Sequence, residues 1–349
     1  MHAPVVSGQS PRRHSFRQRL AAVVLGALAG ALPLARAEAA EYDGLKSDDY
    51  LGEVRVLAKV EDDKVFTEGP AVDRAGNVLF TNVPVSRILK WSPQSKLLSV
   101  FRENSNETNG LYFAPNGDLL CCEGGTRRVT RTDHQTGAVR VLADGFDGKP
   151  FAKPNDLCMD RTGRVYFTSR SGVEDPEGEN VKSVYRIDPD GRVAQVLAWP
   201  EVHMPNGIVL SPDESKLYLI EAHPDADRHR DIRVYDVAAD GSLTNGRVLI
   251  DFYPGRSGDG MCIDSQGNLY VAAGLHKTRG TSETLDTKPG IHVISPEGKL
   301  LAFRETPVDT ITNCTFGGAD LKSLYITCGN LLLEIRTTIP GKASYRPEN

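Results

Sequence analysis

A short phrase recurs along this chain about every fifty residues, and each copy opens with a side chain that carries a carboxylate or carboxamide oxygen. The opening residues are Glu68, Asn109, Asn155, Asn206, Asp259 and, in a less regular copy, Asn313. Successive openings are separated by 41, 46, 51, 53 and 54 residues. Internal repetition constrains a fold more than composition does, and a period of this length fits one propeller blade of four short strands.

Each copy continues with the pattern of a β-hairpin. A turn rich in Asp, Gly and Asn separates two apolar segments, as in AVDRAGNVLFTN at 71–82 and CMDRTGRVYFTS at 158–169. These turn residues tolerate the backbone angles of tight turns, and sustained helical periodicity is absent outside the N-terminus. We therefore predict an all-β, six-bladed β-propeller with four antiparallel strands per blade at 53–340, between an N-terminal extension at 38–52 and a C-terminal tail at 341–349.

The first 37 residues have the pattern of a secretory signal peptide. Four arginines precede an apolar run from Leu20 to about Ala35, and Ala35-Arg36-Ala37 offers a cleavage site between small residues. The run is short for a membrane span and contains Pro33, so we expect no stable membrane anchor. We predict cleavage near Ala37 and a mature protein that is periplasmic or secreted.

The mature chain is predicted to be strongly acidic. Loss of residues 1–37 removes five arginines and no acidic residue, so the formal net charge changes from −5 to −10. An acidic surface repels phosphate backbones, and the chain has no basic stripe or lysine-rich tail. We therefore expect no nucleic-acid partner.

The six cysteines all lie in the predicted mature region. Cys158 and Cys262 occupy the repeat position that Ala71 holds in the first copy, while Cys121 and Cys122 lie in a predicted strand, so we expect these four to be buried reduced thiols. Cys314 and Cys328 flank the last predicted hairpin, and the sequence leaves open whether they form a disulfide. No Cys-x-x-Cys or paired-histidine spacing indicates zinc.

The opening residues predict a metal site. The innermost strand of each propeller blade runs beside the central axis, so equivalent positions at the strand starts form a ring at one end of the channel. That ring would present carboxylate oxygens from Glu68 and Asp259 together with amide oxygens from the other copies. Such a set of ligands suits a hard divalent cation, calcium before magnesium.

Several phrases also resemble those of a known family. TEGP at 67–70, KPND at 153–156, MPNG at 204–207, GDGM at 258–261 and TNCTFGGADLKSLYIT at 312–327 look like motifs of the gluconolactonase and senescence-marker-protein (regucalcin) family of calcium-dependent six-bladed propellers. The resemblance covers roughly residues 50–340. It implies four metal ligands and one residue beside the metal that helps hold substrate; the ligands are Glu68, Asn155, Asn206 and Asp259, and the substrate contact is Asn109.

The chain departs from the family pattern in one phrase. FTSR at 167–170 stands where the family more often has an Asp after the Thr, which places Ser169 and Arg170 near the substrate pocket. Arg170 either reaches an acidic substrate or forms a salt bridge with Glu174 or Asp175. His203, just before MPNG, is a further candidate for the channel mouth.

The predicted chemistry is hydrolysis of a sugar lactone of the gluconolactonase type. Calcium would polarise the lactone carbonyl, and a carboxylate in the metal shell would accept the proton of the attacking water. Asp259 is the first choice for that base and Glu68 the alternative. A nucleophilic serine is disfavoured because the chain has no Gly-x-Ser-x-Gly phrase.

Two other functions remain open at this stage. A phosphotriesterase of the diisopropyl-fluorophosphatase type shares the same Glu-Asn-Asn-Asp arrangement in a related propeller. A non-catalytic calcium-binding propeller could instead present its loops to a protein or glycan partner. The small-molecule lactone is the partner we predict.

Overall fold

The computed structural model describes residues 42–170 and 182–342, and these residues fold almost entirely as β-strands. Two short 3-10 helices cover Ser47–Asp49 and Val83–Val85. The strands are β1 Leu51–Lys59, β2 Thr67–Val72, β3 Val78–Asn82, β4 Arg87–Ser92, β5 Leu97–Arg102, β6 Thr108–Phe113, β7 Leu119–Glu123, β8 Arg128–Thr132, β9 Val139–Ala143, β10 Gly145–Phe146, β11 Lys149–Pro150, β12 Pro154–Met159, β13 Val165–Ser169, β14 Ser183–Ile187, β15 Val193–Leu197, β16 Pro205–Leu210, β17 Lys216–Glu221, β18 Asp231–Val237, β19 Leu243–Asp251, β20 Gly258–Ile263, β21 Leu269–Ala273, β22 Gly290–Ile294, β23 Leu300–Glu305, β24 Ile311–Gly317, β25 Ser323–Cys328 and β26 Leu331–Thr337.

Within the described residues the strands form six four-stranded antiparallel sheets, which confirms the predicted propeller. Five sheets use consecutive strands, in the orders β2–β5, β6–β9, β12–β15, β16–β19 and β20–β23. The sixth has the order β1-β26-β25-β24, so the first strand of the domain completes the last blade. Strand β1 begins at Leu51, two residues before the predicted start of the propeller at 53.

The core lies between adjacent blades. The second strand of a blade is covered on its two faces by the two adjacent blades, as the apolar clusters on either side of β21 show, and strands such as Val78–Asn82 and Val165–Ser169 are buried at every position. Phe80, Tyr166 and Tyr270 on these strands are fully buried. Burial on both faces explains why these strands are continuous apolar runs instead of alternating patterns.

The structure separates the two cysteines for which a disulfide was considered. Cys314 Sγ lies 3.5 Å from Cys262 Sγ on the neighbouring blade, whereas the Cys328 thiol donates to Val308 O. All six cysteines are free thiols, and all are buried except Cys262, which is partly buried. Burial raises the pKa of Cys262 well above its ordinary value, which is typical of an unreactive thiol in a core.

The predicted signal peptide at 1–37 lies outside the described residues and stays a prediction. The predicted tail is described only at Gly341 and Lys342. Across 42–170 and 182–342, helices that are long and apolar enough to cross a membrane are absent.

Closure of the ring by β1 generates a stability prediction. Leu51 at the start of β1 is fully buried in the apolar cluster of the last blade, whereas the Val56 residue of the same strand is 58% exposed. Leu51→Ala should therefore lower the free energy of unfolding by about 2–5 kcal/mol because it leaves a cavity. Val56→Ala is the matched control and should change it by less than about 0.5 kcal/mol. Urea titration followed by tryptophan fluorescence measures both, and equal effects would show that β1 does not close the ring.

Candidate active site

A β-bulge interrupts the innermost strand of each blade at its opening residue. In the first blade, pairing between β2 and β3 shifts between Glu68 and Ala71, and the same shift occurs between Thr108 and Leu111 in the second blade. The inner strands of the other four blades carry a shift at the corresponding place. Bulges are common beside active sites because the extra residue changes the direction of a side chain. Here they turn the opening residues out of the regular inward–outward alternation.

The glycine that follows the opening residue in several copies permits the inner strands to approach one another closely. A Cβ on Gly69 would lie 2.1 Å from Asn109 O of the next blade, and a Cβ on Gly110 would lie 2.6 Å from Asn155 O. Real side chains do not occupy such distances, so only glycine fits. The Thr81 hydroxyl donates to Asn109 O across the same blade boundary at 3.0 Å. Close packing of the inner strands therefore brings the opening side chains to a common point.

Most of the predicted site residues line one pocket at the end of the channel where the inner strands begin, which we call the mouth pocket. It has about 650 Å³ of space, part of it open to solvent. Its walls are Phe66, Glu68, Val83, Glu107, Asn109, Lys153, Pro154, Asn155, Arg170 and Asp259. Asn206 is held at the edge of this group because its Nδ2 donates to Asp259 Oδ1 at 2.6 Å. The structure thus brings together the four predicted metal ligands and two of the three predicted substrate contacts.

Both carboxylate oxygens of Asp259 have hydrogen-bond partners. Asn206 donates to Oδ1, and Arg256 Nη2 donates to Oδ2 at 2.6 Å. The Arg256–Asp259 pair is almost completely buried, with side-chain exposures of 10% and 11%. A buried ion pair is made only by the ionised carboxylate, and loss of one partner leaves an uncompensated charge. Arg256 therefore supports the negative charge and the orientation of Asp259.

The second carboxylate of the pocket, Glu68, is less well compensated. Its Oε2 accepts a hydrogen bond from Gly69 N at 3.1 Å, and no described residue donates to its Oε1. Burial raises the pKa of Glu68 well above its ordinary value, and the nearby charge of Asp259 raises it further. A buried carboxylate with one oxygen facing a pocket is a candidate ligand for a cation that would offset both effects.

The amide side chains of the pocket complete an oxygen-rich wall. Within the described residues, the side chains of Asn109 and Asn155 make no hydrogen bond, although both face the mouth pocket. The described part of the chain also contains no group of three or more His, Cys, Asp or Glu residues that could hold a metal. A cation here would therefore depend on amide oxygens in addition to the two carboxylates, which fits calcium better than a transition metal.

Asn313, the opening residue of the sixth copy, lies in a second cavity deeper along the channel. That cavity is also lined by Asp156, Cys158, Cys262 and Cys314, and it contains neither Glu68 nor Asp259. Burial raises the pKa of Asp156 to about 7, and Asn313 Nδ2 lies 3.4 Å from Asp156 Oδ2. The channel cavity therefore has a different chemistry from the mouth pocket, and we assign the candidate site to the latter.

His203 is the predicted site residue that the structure does not place in the wall of the mouth pocket. Its ring stacks on His229 with centroids 3.8 Å apart and lies against Trp199 on the other side of the loop. Its Nδ1 accepts the backbone N–H of His229 at 3.3 Å. Burial lowers the pKa of His203 to about 4, so its ring is neutral at ordinary pH. The ring of His203 is therefore packed between other side chains, and its contact with substrate stays a prediction.

Sequence reasoning missed two charged residues of the site. Arg256 precedes Asp259 by three residues in RSGDG, and this cation just before an opening residue was the available signal. Lys153, the first residue of KPND, forms an ion pair with Glu107 across the pocket wall, with Nζ and Oε2 2.8 Å apart. Both contacts depend on side-chain directions that the sequence pattern does not specify.

Comparison with known proteins identifies the family of this chain. The model of the SMP-30/Gluconolactonase/LRE-like region family matches residues 66–330, which include all six opening residues. The chain belongs to this family. Its match therefore spans the propeller from the second strand to the end of β25.

Individual relatives extend over most of the propeller as well. The gluconolactonase of Zymomonas mobilis is 30% identical over 307 residues, covering 80% of each chain. The regucalcin of Oryctolagus cuniculus is 27% identical and covers 80% of this chain and 87% of its own length. Among solved structures, a gluconolactonase of Xanthomonas campestris is 26% identical with a TM-score of 0.68, covering 84% of this chain and 96% of that chain. A calcium-binding regucalcin of Agrobacterium tumefaciens has a TM-score of 0.67 at 19% identity, over 85% and 97%, which supports the fold alone.

Glu221 beside the mouth pocket generates a prediction on pH. It ends β17, and its Oε2 accepts the backbone N–H groups of His203 and Met204 at 2.8 Å each, just before Asn206. Burial raises its pKa to about 7. Between pH 4.5 and 7 the unfolded chain releases this proton while the folded chain keeps it, so the free energy of unfolding should fall as pH rises.

Glu221→Gln should remove this part of the pH dependence, which amounts to up to about 3 kcal/mol. Urea titrations at several pH values, with chelator present throughout, measure the slope. Glu305→Gln is the control because its side chain is 63% exposed, and it should leave the slope unchanged. Equal slopes in the wild type and Glu221→Gln would contradict the assignment.

Proposed function

We propose that this protein is a metal-dependent lactonase that hydrolyses a sugar lactone. The observation that carries the proposal is the mouth pocket of a chain that belongs to the gluconolactonase family. Two carboxylates converge there with two amides that no described residue pairs with. A relative named gluconolactonase that matches over 80% of the chain supports the reaction class. The same oxygen-rich wall supports a hard divalent cation, with calcium as the first choice.

Glu68, Asn155, Asn206 and Asp259 would hold the cation. When bound there, the ion would supply a Lewis acid for the lactone carbonyl and for the charge that develops on its oxygen. Asn206 Nδ2 donates to Asp259, and none of the described residues donates to the Asn206 amide oxygen, so that oxygen remains a possible ligand. The strongest support for this donor set is the buried Oε1 of Glu68, to which no described residue donates a hydrogen bond.

We assign the general base to Asp259, with Glu68 as the alternative. A base must be ionised before it accepts a proton, and Arg256 forms an ion pair with the Asp259 carboxylate. Each carboxylate oxygen has a second lone pair, so the bonds from Asn206 and Arg256 leave room for a water molecule. Those two bonds also prevent rotation of the carboxylate, which keeps the acceptor oxygen in one direction.

Other residues of the wall would bind and orient the substrate. Asn109 offers an amide donor and an amide acceptor to the hydroxyl groups of a sugar lactone, and no described residue competes for them. The Lys153–Glu107 pair forms a neutral polar edge beside it. Val83 and Phe66 provide apolar surface on the same pocket wall. Such a mixture of polar and apolar groups suits a small hydroxylated ring.

A lactonase of this kind should lose activity with its metal. The protein, assayed by acid release from a panel of aldonolactones, should turn over at least one of them, lose that activity in excess chelator and recover it with added calcium. Lack of turnover on every lactone, with calcium binding intact by calorimetry, would favour the non-catalytic calcium-binding propeller. Hydrolysis of a phosphotriester but of no lactone would favour the phosphotriesterase.

Substitution of the two carboxylates separates their roles. Asp259→Asn keeps an oxygen ligand but removes the base, so kcat should fall about 10²- to 10⁴-fold while calcium still binds. Glu68→Gln should weaken calcium binding more than it lowers kcat at saturating calcium. Asp225→Asn, at a side chain that is 73% exposed, is the control and should leave both values unchanged. If Glu68→Gln abolishes kcat at saturating calcium while Asp259→Asn does not, Glu68 is the base.

A further inference from the structure

Arg170 is a cation of the mouth pocket that none of the described side chains pairs with. It follows the last residue of β13, and its backbone N–H donates to Lys153 O at 2.9 Å. Its side chain lines the pocket together with Glu68, Asn109 and Asp259. Within residues 42–170 and 182–342, no group makes a hydrogen bond or ion pair with its guanidinium. The predicted partners Glu174 and Asp175 lie outside the described residues.

The other cations near the pocket are paired. Arg256 is bonded to Asp259, Lys153 to Glu107 at 2.8 Å, and Arg279 lies 3.7 Å from Asp309. Burial lowers the pKa of Arg170 because its charged form is desolvated, while Asp259, Glu68 and Glu221 favour that charge only through space. A partly buried guanidinium that no described residue pairs with is poorly compensated, so a ligand that pairs with it would gain affinity.

The charge balance of the pocket changes with the proposed metal. In its absence, the charge of Arg170 offsets the charge of Glu68. A divalent cation held by Glu68 and Asp259 would neutralise the two carboxylates and leave the positive charges of Arg170 and Arg256 in excess. Arg256 is already engaged with Asp259 at the inner side of the site. Arg170 is therefore the positive charge of this pocket that can pair with a bound substrate.

We propose that the preferred substrate is a lactone bearing a second oxyanion, a carboxylate or a phosphate on its sugar chain, and that Arg170 binds this group. The proposal rests on the proposed lactonase function and names its substrate class. A guanidinium presents a planar set of donors that matches a carboxylate or phosphate with two parallel hydrogen bonds. A neutral hydroxyl group lacks the second oxygen that two parallel hydrogen bonds require, and it leaves the charge of Arg170 uncompensated.

Kinetics on three lactones would test this assignment. With calcium bound, the wild type should hydrolyse a lactone of an aldaric acid, or a phosphorylated aldonolactone, with a kcat/KM about 10- to 100-fold above that of the neutral aldonolactone. Preference for one of the two anionic lactones identifies the source of the oxyanion. Arg170→Gln should remove the preference, because it should lower kcat/KM for the anionic lactones far more than for the neutral lactone. Arg170→Lys should retain part of it, because charge remains without the planar donor set.

A binding measurement gives a readout independent of turnover. Calorimetry with the dianionic aldarate and the monoanionic aldonate, each in calcium and in chelator, should show tighter aldarate binding in the wild type and loss of that difference in Arg170→Gln. Arg279→Gln is the matched control, since its cation is paired with Asp309, and it should keep the difference.

The outcomes distinguish the two proposals. Hydrolysis of the neutral lactone at least as efficiently as of both anionic lactones would overturn the assignment of Arg170 and leave the lactonase function intact. An equal loss on all three lactones in Arg170→Gln, with a lower melting temperature, would overturn it too and assign Arg170 a structural role. Absence of turnover on every lactone would overturn the lactonase function itself.

Discussion

The close approach of the inner strands around the propeller axis is the constraint on which the site depends. Gly69 and Gly110 lie against the backbone of the next blade at distances that exclude any Cβ, so the opening residues stand next to each other although they are about fifty residues apart in sequence. The β-bulge at each opening then changes the side-chain direction. Without either feature, the same side chains would alternate between channel and blade and would not form one wall. The residues of the opening phrase therefore determine how the inner strands pack, and this packing places the polar side chains in one site.

Electrostatics gives the pocket its second property. Two buried carboxylates at one place repel each other, and the chain compensates them unequally: Asp259 has Arg256 and Asn206 as hydrogen-bond partners, whereas Glu68 has one backbone N–H. The asymmetry explains why burial raises the pKa of Glu68 so strongly. It also suits their proposed roles: Asp259, which an ion pair holds in place, would act as the base, and Glu68 would bind the cation. Arg170 carries a further charge at the pocket wall. Glu68 offsets its positive charge when no cation is bound, and we propose that an anionic group of the substrate offsets it when one is.

The repeat predicted most of the fold and the opening residues of the site, but it did not predict the charge pairs around them. Six copies of an opening residue, a turn and an apolar strand led to six blades and to a ring of opening residues at one end of the channel. The family resemblance then selected Glu68, Asn155, Asn206 and Asp259 from that ring as the metal ligands. Sequence reasoning was less successful where contacts cross between blades. Cys314 was considered as a partner of Cys328 in its own hairpin, yet its nearest thiol is Cys262 of the neighbouring blade. The interpretation of His203 was based on its proximity in sequence to Asn206, and its ring instead stacks on His229.

The sequence by itself determined the repeat, the strand pattern and the chemical type of each opening residue, because periodicity and turn chemistry are local properties of the chain. Only the tertiary structure decided which charges meet. Side-chain directions at the ends of different strands pair Arg256 with Asp259 and Lys153 with Glu107, and they leave Arg170 without a partner among the described side chains. A repeat specifies where each blade reaches the axis, but the energy of a charge in a buried pocket depends on distances of a few ångströms between blades, and those distances exist only once the ring is closed.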